Sequence, residues 1–193
     1  MVSVMDFICI FGPQAVGKMS VGERLSEALG LPLLFNHVTL DVIWPYIGWN
    51  KKTFELSDQL RLDIFEYIAS DVDHKGIIFT FVWDFDSAYD WEFVQKIKSL
   101  FQKENQRLYF VELEADLDTR LSRNASENRL LKKPSKRDLE YSENELLRSL
   151  DKHRLNSYPD EIQEKNYFRL NTNGQSVEAS SEIILDWLNT VRS

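Results

Sequence analysis

Gly12-Pro13-Gln14-Ala15-Val16-Gly17-Lys18-Met19-Ser20 spells G-x-x-x-x-G-K between the apolar run Val4 to Phe11 and a helical pattern carrying Val21, Leu25 and Ala28. The run suits a buried parallel strand, and Gly30 and Pro32 stop the helix that follows the motif. Glycines at these two places permit a tight turn with converging backbone N–H groups. The next helix adds the positive end of its dipole, and Lys18 has the reach to touch β- and γ-phosphates. The spacing predicts a phosphate-binding loop over residues 12–20 with a nucleoside triphosphate as ligand. One position departs from the usual pattern: the hydroxyl that normally follows the lysine and binds Mg²⁺ is replaced by Met19 and comes one residue later, at Ser20.

Outward from the loop, strand-like and helix-like segments alternate. Leu33 to Asn36 reads as a short second strand, and Leu56, Leu60, Ile64 and Ile68 form an i+4 stripe on a long helix. Ile77 to Trp83 reads as a third strand, followed by a helix marked by Phe93, Ile97, Leu100 and Phe101. Leu108 to Leu113 is a fourth strand, and Leu117 and Leu121 begin a short helix. Ser135-x-x-Asp138 resembles a capping box for a helix with Leu139, Leu146 and Leu150. Tyr167 to Leu170 is a fifth strand, Asn171-Thr172-Asn173-Gly174 a turn, and Ile183, Ile184, Trp187, Leu188 and Val191 face a terminal helix inward. This order implies an α/β fold in three layers, a five-stranded parallel sheet covered on both faces with ligands at the carboxyl ends of its strands.

The 193 residues, 43% of them hydrophobic, suffice for one core, and no Pro/Gly/Ser-rich linker or repeat divides them, so residues 1–193 are read as a single domain. The one cysteine, Cys9, falls inside the first strand as a small buried thiol. A basic, long apolar leader is missing from the N-terminus and no apolar stretch of about 18 residues occurs, so a cytoplasmic location is expected. His37, His74 and His153 form no cluster with metal-ligand spacing, which argues against zinc. Charge is unevenly spread: residues 120–137 hold seven bases against Glu127, a net of +6 that leaves −14 for the rest of a −8 chain. So acidic a remainder repels a long polyanion and argues against nucleic acid, whereas a triphosphate held locally by arginine forks fits.

These features together resemble the small P-loop kinases, the family of shikimate, gluconate and adenylate kinases, with the first forty residues most similar to the shikimate-kinase type. The resemblance implies a P-loop NTPase fold with ATP and Mg²⁺ as cofactors. It also implies a basic lid at about residues 123–138. Within that lid, Arg123 would lie near the adenine and Arg129, in Arg129-Leu130-Leu131, on the phosphates, although the proline of the family's run is missing and the spacing is one residue shorter. Asn171-Thr172-Asn173 is similar to the family's adenine-side loop, with Thr172 as a nucleotide contact; an ordinary turn is the other reading.

Phosphoryl transfer needs a group that orients or deprotonates the acceptor hydroxyl. Asp41 lies one helical turn after His37, which puts both on one face just beyond the second strand, and a histidine pKa near 6.5 suits proton relay. A structural hydrogen-bonding role for His37 remains the alternative. Asp84 closes the third strand's apolar run and suits the Mg²⁺ shell together with Ser20; the rival reading is a helix N-cap, open equally to Asp86 and Ser87. Trp44, Tyr46 and Trp49 on one side and Trp83, Phe85, Tyr89 and Trp91 on the other would either wall an acceptor pocket or pack the core. The sequence thus predicts an ATP-dependent phosphotransferase acting on a small-molecule acceptor, with a nucleotide-dependent switch as the alternative.

Overall fold

The computed structural model describes residues 4–124 and 139–192. Along the first strand, β1 (Met5–Phe11), side chains alternate between two cores. Phe7, Cys9 and Phe11 enter one, and Ile8 and Ile10 the other. Such two-sided burial is the condition for a strand at the centre of a parallel sheet. β1 pairs in parallel with β3 (Gly76–Phe81) and with β4 (Gln106–Glu114). The edge strands are β2 (Leu33–Leu34) and β5 (Tyr167–Asn171), and the sheet order is β2-β3-β1-β4-β5.

Seven helices cover this sheet among the described residues: α1 (Lys18–Leu29), α2 (Asn36–Ile47), α3 (Lys51–Ser70), α4 (Ala88–Leu100), α5 (Leu117–Asn124), α6 (Leu139–Lys152) and α7 (Val177–Arg192). Helices α1 and α7 close the aliphatic core through Val21, Leu25, Ile184 and Leu188. Helices α3 and α4 close the aromatic one, where Phe7 meets Phe65 edge-on at 5.0 Å and Phe101 at 4.7 Å. Each fully buried phenylalanine contributes roughly 2–3 kcal/mol by area. The expected three-layer α/β/α architecture is therefore the observed one. No helix among the described residues is long and apolar enough to cross a membrane.

Several boundaries differ from the sequence expectation. The second strand ends at Leu34 rather than Asn36, because Asn36 already opens α2 and its N–H is taken by Thr80 Oγ1 at 3.1 Å. The third strand ends at Phe81, and Trp83 and Asp84 lie in the turn beyond it. On α3 the buried stripe is not Leu56–Leu60–Ile64–Ile68: Leu56 and Leu60 are exposed, and Thr53, Ser57, Arg61, Phe65 and Ile68 face inward. That rotation is sustained by polar pairing, since Ser57 meets Thr39 at 2.6 Å and Arg61 Nε donates to Thr39 Oγ1 at 2.9 Å. Leu150 of α6 and Ile183 of α7 are likewise exposed. The Ser135-x-x-Asp138 cap lies outside the described residues, as does all of the expected lid except Arg123 and Asn124.

Candidate functional site

Chain leaving β1 turns at Gly12 (φ 137°), passes through Ala15 (φ 62°) and enters α1 at Gly17 (φ 108°). Gly12 is required twice over: an L residue seldom adopts this φ, and a Cβ there would overlap the Leu113 carbonyl oxygen. Gly17 supplies no side-chain cap, so no side chain from the cap position competes for the first N–H groups of α1, the seat an anion takes. Lys18 folds back over the loop and donates from Nζ to Gly12 O and Pro13 O, each at 2.6 Å. The loop is braced from α5 and α6. Buried Arg120 donates from Nε to Gln14 O at 2.9 Å, Arg123 from a terminal guanidinium nitrogen to Val16 O at 3.2 Å, and Ser149 Oγ to Gln14 Oε1 at 3.2 Å. Ser20 falls on the first turn of α1, partly exposed, next to Met19.

Arg123 also joins the loop to the turn after β5. Its guanidinium donates to Thr172 Oγ1 at 2.9 Å and to Thr172 O at 2.7 Å, and the buried Thr172 hydroxyl lies 3.2 Å from Val16 O. Partial burial lowers the Arg123 pKa. Thr172 and Arg123, proposed from sequence as nucleotide contacts, are thus brought together beside the phosphate loop. Asn173 Oδ1 accepts from Asp116 N at 3.0 Å, fastening the same turn to the start of α5.

On the other side of the loop, the carboxyl ends of β2 and β3 carry the second group of expected residues. His37 and Asp41 lie on one face of α2, both partly buried, with the His37 ring stacked on Phe35 at 5.5 Å. Behind them Arg61, almost fully buried, donates to Asp58 Oδ1 at 2.6 Å and to Asn36 O at 2.5 Å. Tyr89 OH donates to the other oxygen of Asp58 at 2.8 Å. Burial, the neighbouring Asp58 and its hydrogen bond all push the Tyr89 phenol up.

Asp84 sits in the turn after β3, with His153 Nδ1 at 2.6 Å from Oδ2 and Asp86 N–H on Oδ1. Each carboxylate oxygen keeps a further lone pair. Asp84 thus keeps oxygen lone pairs of the kind a hard cation takes, while Ser20 lies on the first turn of α1. The helix cap is Ser87, whose side chain accepts from Asp90 N. Asp90 accepts the Asp84 N–H at 2.8 Å, and burial beside Asp84 and Asp58 pushes its pKa up to about 6. Trp83 and Phe85 pack into the aromatic core, stacked at 4.7 Å, with Trp91 edge-on to Trp83. Core packing is therefore their role, while Tyr46 and Trp49 are exposed on the α2–α3 side.

Sequence reasoning missed a strap, residues 153–158, that crosses this end after α6. Glu112, fully buried at the end of β4, accepts from Asn156 Nδ2 (2.7 Å), Ser157 N (2.9 Å), Ser157 Oγ (2.6 Å) and Tyr167 OH (2.6 Å). Arg154 then grips Glu161 with both terminal nitrogens (2.5 and 2.8 Å) and Asp86 with Nε (3.0 Å), its guanidinium 4.0 Å from the Tyr158 ring centre. The one local signal was Glu112 itself, an acid inside an apolar strand. Arg129 lies outside the described residues.

No family model and no curated protein matches the chain by sequence. Solved structures do match it. A gluconokinase from Sinorhizobium meliloti shares 17% identity over 98% of this chain and 94% of its own, with a TM-score of 0.59. The shikimate kinase from Acinetobacter baumannii, in complex with shikimate, shares 20% over 98% and 95% with a TM-score of 0.56. The APS kinase from Mycobacterium tuberculosis, in complex with AMPPNP and APS, shares 13% over 97% and 99% with a TM-score of 0.58. The chain accordingly has the fold of the P-loop small-molecule kinases, a five-stranded parallel sheet between two helical layers.

Proposed function

We propose that this protein is an ATP-dependent phosphotransferase that moves the γ-phosphoryl group to a hydroxyl of a small molecule. The observation that carries this reading is the loop 12–20 itself. Its lysine rests on Gly12 and Pro13 carbonyl oxygens, its backbone is braced by Arg120 and Arg123, and it leaves β1 beside the end of the paired strand β3, which the turn with Asp84 follows. In this proposal phosphate oxygens displace the two carbonyls as partners of Lys18, and the N–H groups of the α1 N-terminus receive the same anion. Arg123, held flat by Thr172, borders the nucleobase, and Arg129 completes the charge over the phosphates. Mg²⁺, bound with the nucleotide, neutralises phosphate charge; Ser20 and Asp84 are the residues of this chain that would hold its shell.

The chemical step forms a bond from the acceptor oxygen to the γ-phosphorus while the bond from that phosphorus to the β–γ bridging oxygen breaks and ADP leaves. Asp41, with His37 as relay, receives the hydroxyl proton. The test is ADP release from Mg-ATP by wild type and Lys18→Ala over nucleosides, nucleoside monophosphates, sugars, sugar acids and cyclitols. Release that requires one acceptor and falls at least about a hundredfold in the folded variant supports the proposal. Lys18-dependent ATP binding with no acceptor-stimulated release favours the nucleotide-switch reading instead.

A further inference from the structure

Among the described residues, Arg61 and Arg154 lie beside the start of α2 and the turn after β3, and both are spent inside the protein. Arg61 donates to Asp58, Thr39 and the Asn36 carbonyl, and its guanidinium is almost completely buried. Arg154 is held more completely still: both terminal nitrogens go to Glu161, Nε goes to Asp86, and the guanidinium carbon lies 5.3 Å from the Phe85 ring centre and 4.0 Å from that of Tyr158. Its carbonyl oxygen accepts the Phe85 N–H at 2.8 Å, which seats this arginine directly on the turn after β3. A planar guanidinium binds a carboxylate or phosphate through a two-pronged fork, and a fork already occupied by Glu161 offers no such edge. The remaining histidine of the strap is matched by Asp84. Among the described residues of this region, both arginines are therefore already neutralised, Arg61 by Asp58 and Arg154 by Asp86 and Glu161.

We infer that the acceptor is an uncharged hydroxyl compound, a neutral sugar, polyol or nucleoside rather than an acid or phosphate ester, and that Glu161 is the residue that sets this specificity by occupying Arg154. The inference rests on the kinase reading above. Like charges facing a ligand and unpaired charges left behind both select against the wrong partner, so the neutralised arginine acts by rejection rather than by attraction.

Matched pairs differing only in charge test it: glucose against gluconate, and cytidine against cytidine monophosphate. Each is followed by ADP release from Mg-ATP and, separately, by tryptophan fluorescence with AMPPNP bound. A neutral member of a pair is expected to exceed its anion by about tenfold or more in kcat/KM or affinity. Glu161→Gln is expected to raise the anion-to-neutral ratio about tenfold by freeing one prong of Arg154. Asp86→Asn, at a largely exposed carboxylate, provides a second release of the same arginine should Glu161→Gln fold poorly. A wild-type preference for the anion overturns the inference, and so does binding of neither member, or a Glu161→Gln and Asp86→Asn ratio equal to wild type. Charge-selective binding without any Lys18-dependent ADP release overturns the kinase reading alone and leaves the ligand class standing.

Discussion

His153 Nδ1 stands 2.6 Å from Asp84 Oδ2, joining the strap after α6 to the turn after β3 across 69 positions of sequence. The same α6 touches the phosphate loop through Ser149 and Gln14. This helix and the strap that follows it thus touch both the loop 12–20 and the turn after β3, and the segment with Arg129 precedes them in the chain.

The His153–Asp84 pair is half open to water on the histidine side, so its worth is small. A double-mutant cycle of His153→Ala and Asp84→Asn by urea unfolding is expected to give a coupling of about 0.5 kcal/mol. In the kinase reading the same variants act on turnover far more than on stability. A coupling above about 2 kcal/mol would make the pair a structural tie instead.

Asp90 supplies a pH dependence. Burial raises its folded pKa to about 6, above the roughly 3.9 of an unfolded aspartate, so the folded state favours the protonated form. Its contribution to stability is full below about pH 4 and is lost as pH rises through 6. Asp90→Asn keeps an oxygen for the Asp84 N–H and carries no charge. Relative to wild type it is expected to gain on the order of 1–2 kcal/mol between pH 4 and pH 8, measured by denaturant melts at both. A constant difference across that range would refute the assignment.

Glu112 holds four donors in a fully buried site, and its neighbour Tyr167 has its phenol pushed up to about 12 by burial and by Glu112. Glu112→Ala leaves the buried Ser157 N–H without its acceptor and strips the Ser157 and Tyr167 hydroxyls of theirs, at an expected cost of about 3 kcal/mol or more. Glu112→Gln retains one carbonyl oxygen and is expected to cost about half as much. Equilibrium unfolding of the two variants checks the order.

Gly12→Ala meets both a left-handed φ and the Leu113 carbonyl, whereas Gly30→Ala meets the φ alone, with open space around it. The first is expected to lower stability by about 3 kcal/mol and to abolish nucleotide binding. The second is expected to cost about 1 kcal/mol and leave binding intact. Equal losses in thermal melts would contradict the close approach.

Thr172→Val removes the hydroxyl that Arg123 and the Val16 carbonyl share while preserving shape. Its stability loss is expected at about 1–2 kcal/mol, accompanied by weaker nucleotide binding as the guanidinium loses its fixed plane. Isothermal titration with AMPPNP against circular-dichroism melts separates the two effects.

The sequence by itself determined the glycine turn 12–17 between strand and helix, the alternation of strands and helices, and hence a parallel sheet between two helical layers. Each of these is a local property: glycine at two forced turns, two-sided apolar strands, helical periodicity between them. The chain also determined that Lys18, Ser20, His37, Asp41 and Asp84 fall near the strands' carboxyl ends, since each follows a strand by only a few residues.

Tertiary structure decided which face of α3 is inside. Leu56 and Leu60 formed the apolar stripe, yet Ser57 and Arg61 are the buried residues, because Thr39 and Asn36 from another helix satisfy them. It likewise decided that Arg123 meets Thr172, that His153 meets Asp84, and that Arg154 is consumed by Glu161 and Asp86. Most of these pairings join residues tens of positions apart, and even the Arg154–Glu161 fork depends on how Glu112 folds the strap. A buried charge is tolerated only where such partners arrive, and no local periodicity records their arrival.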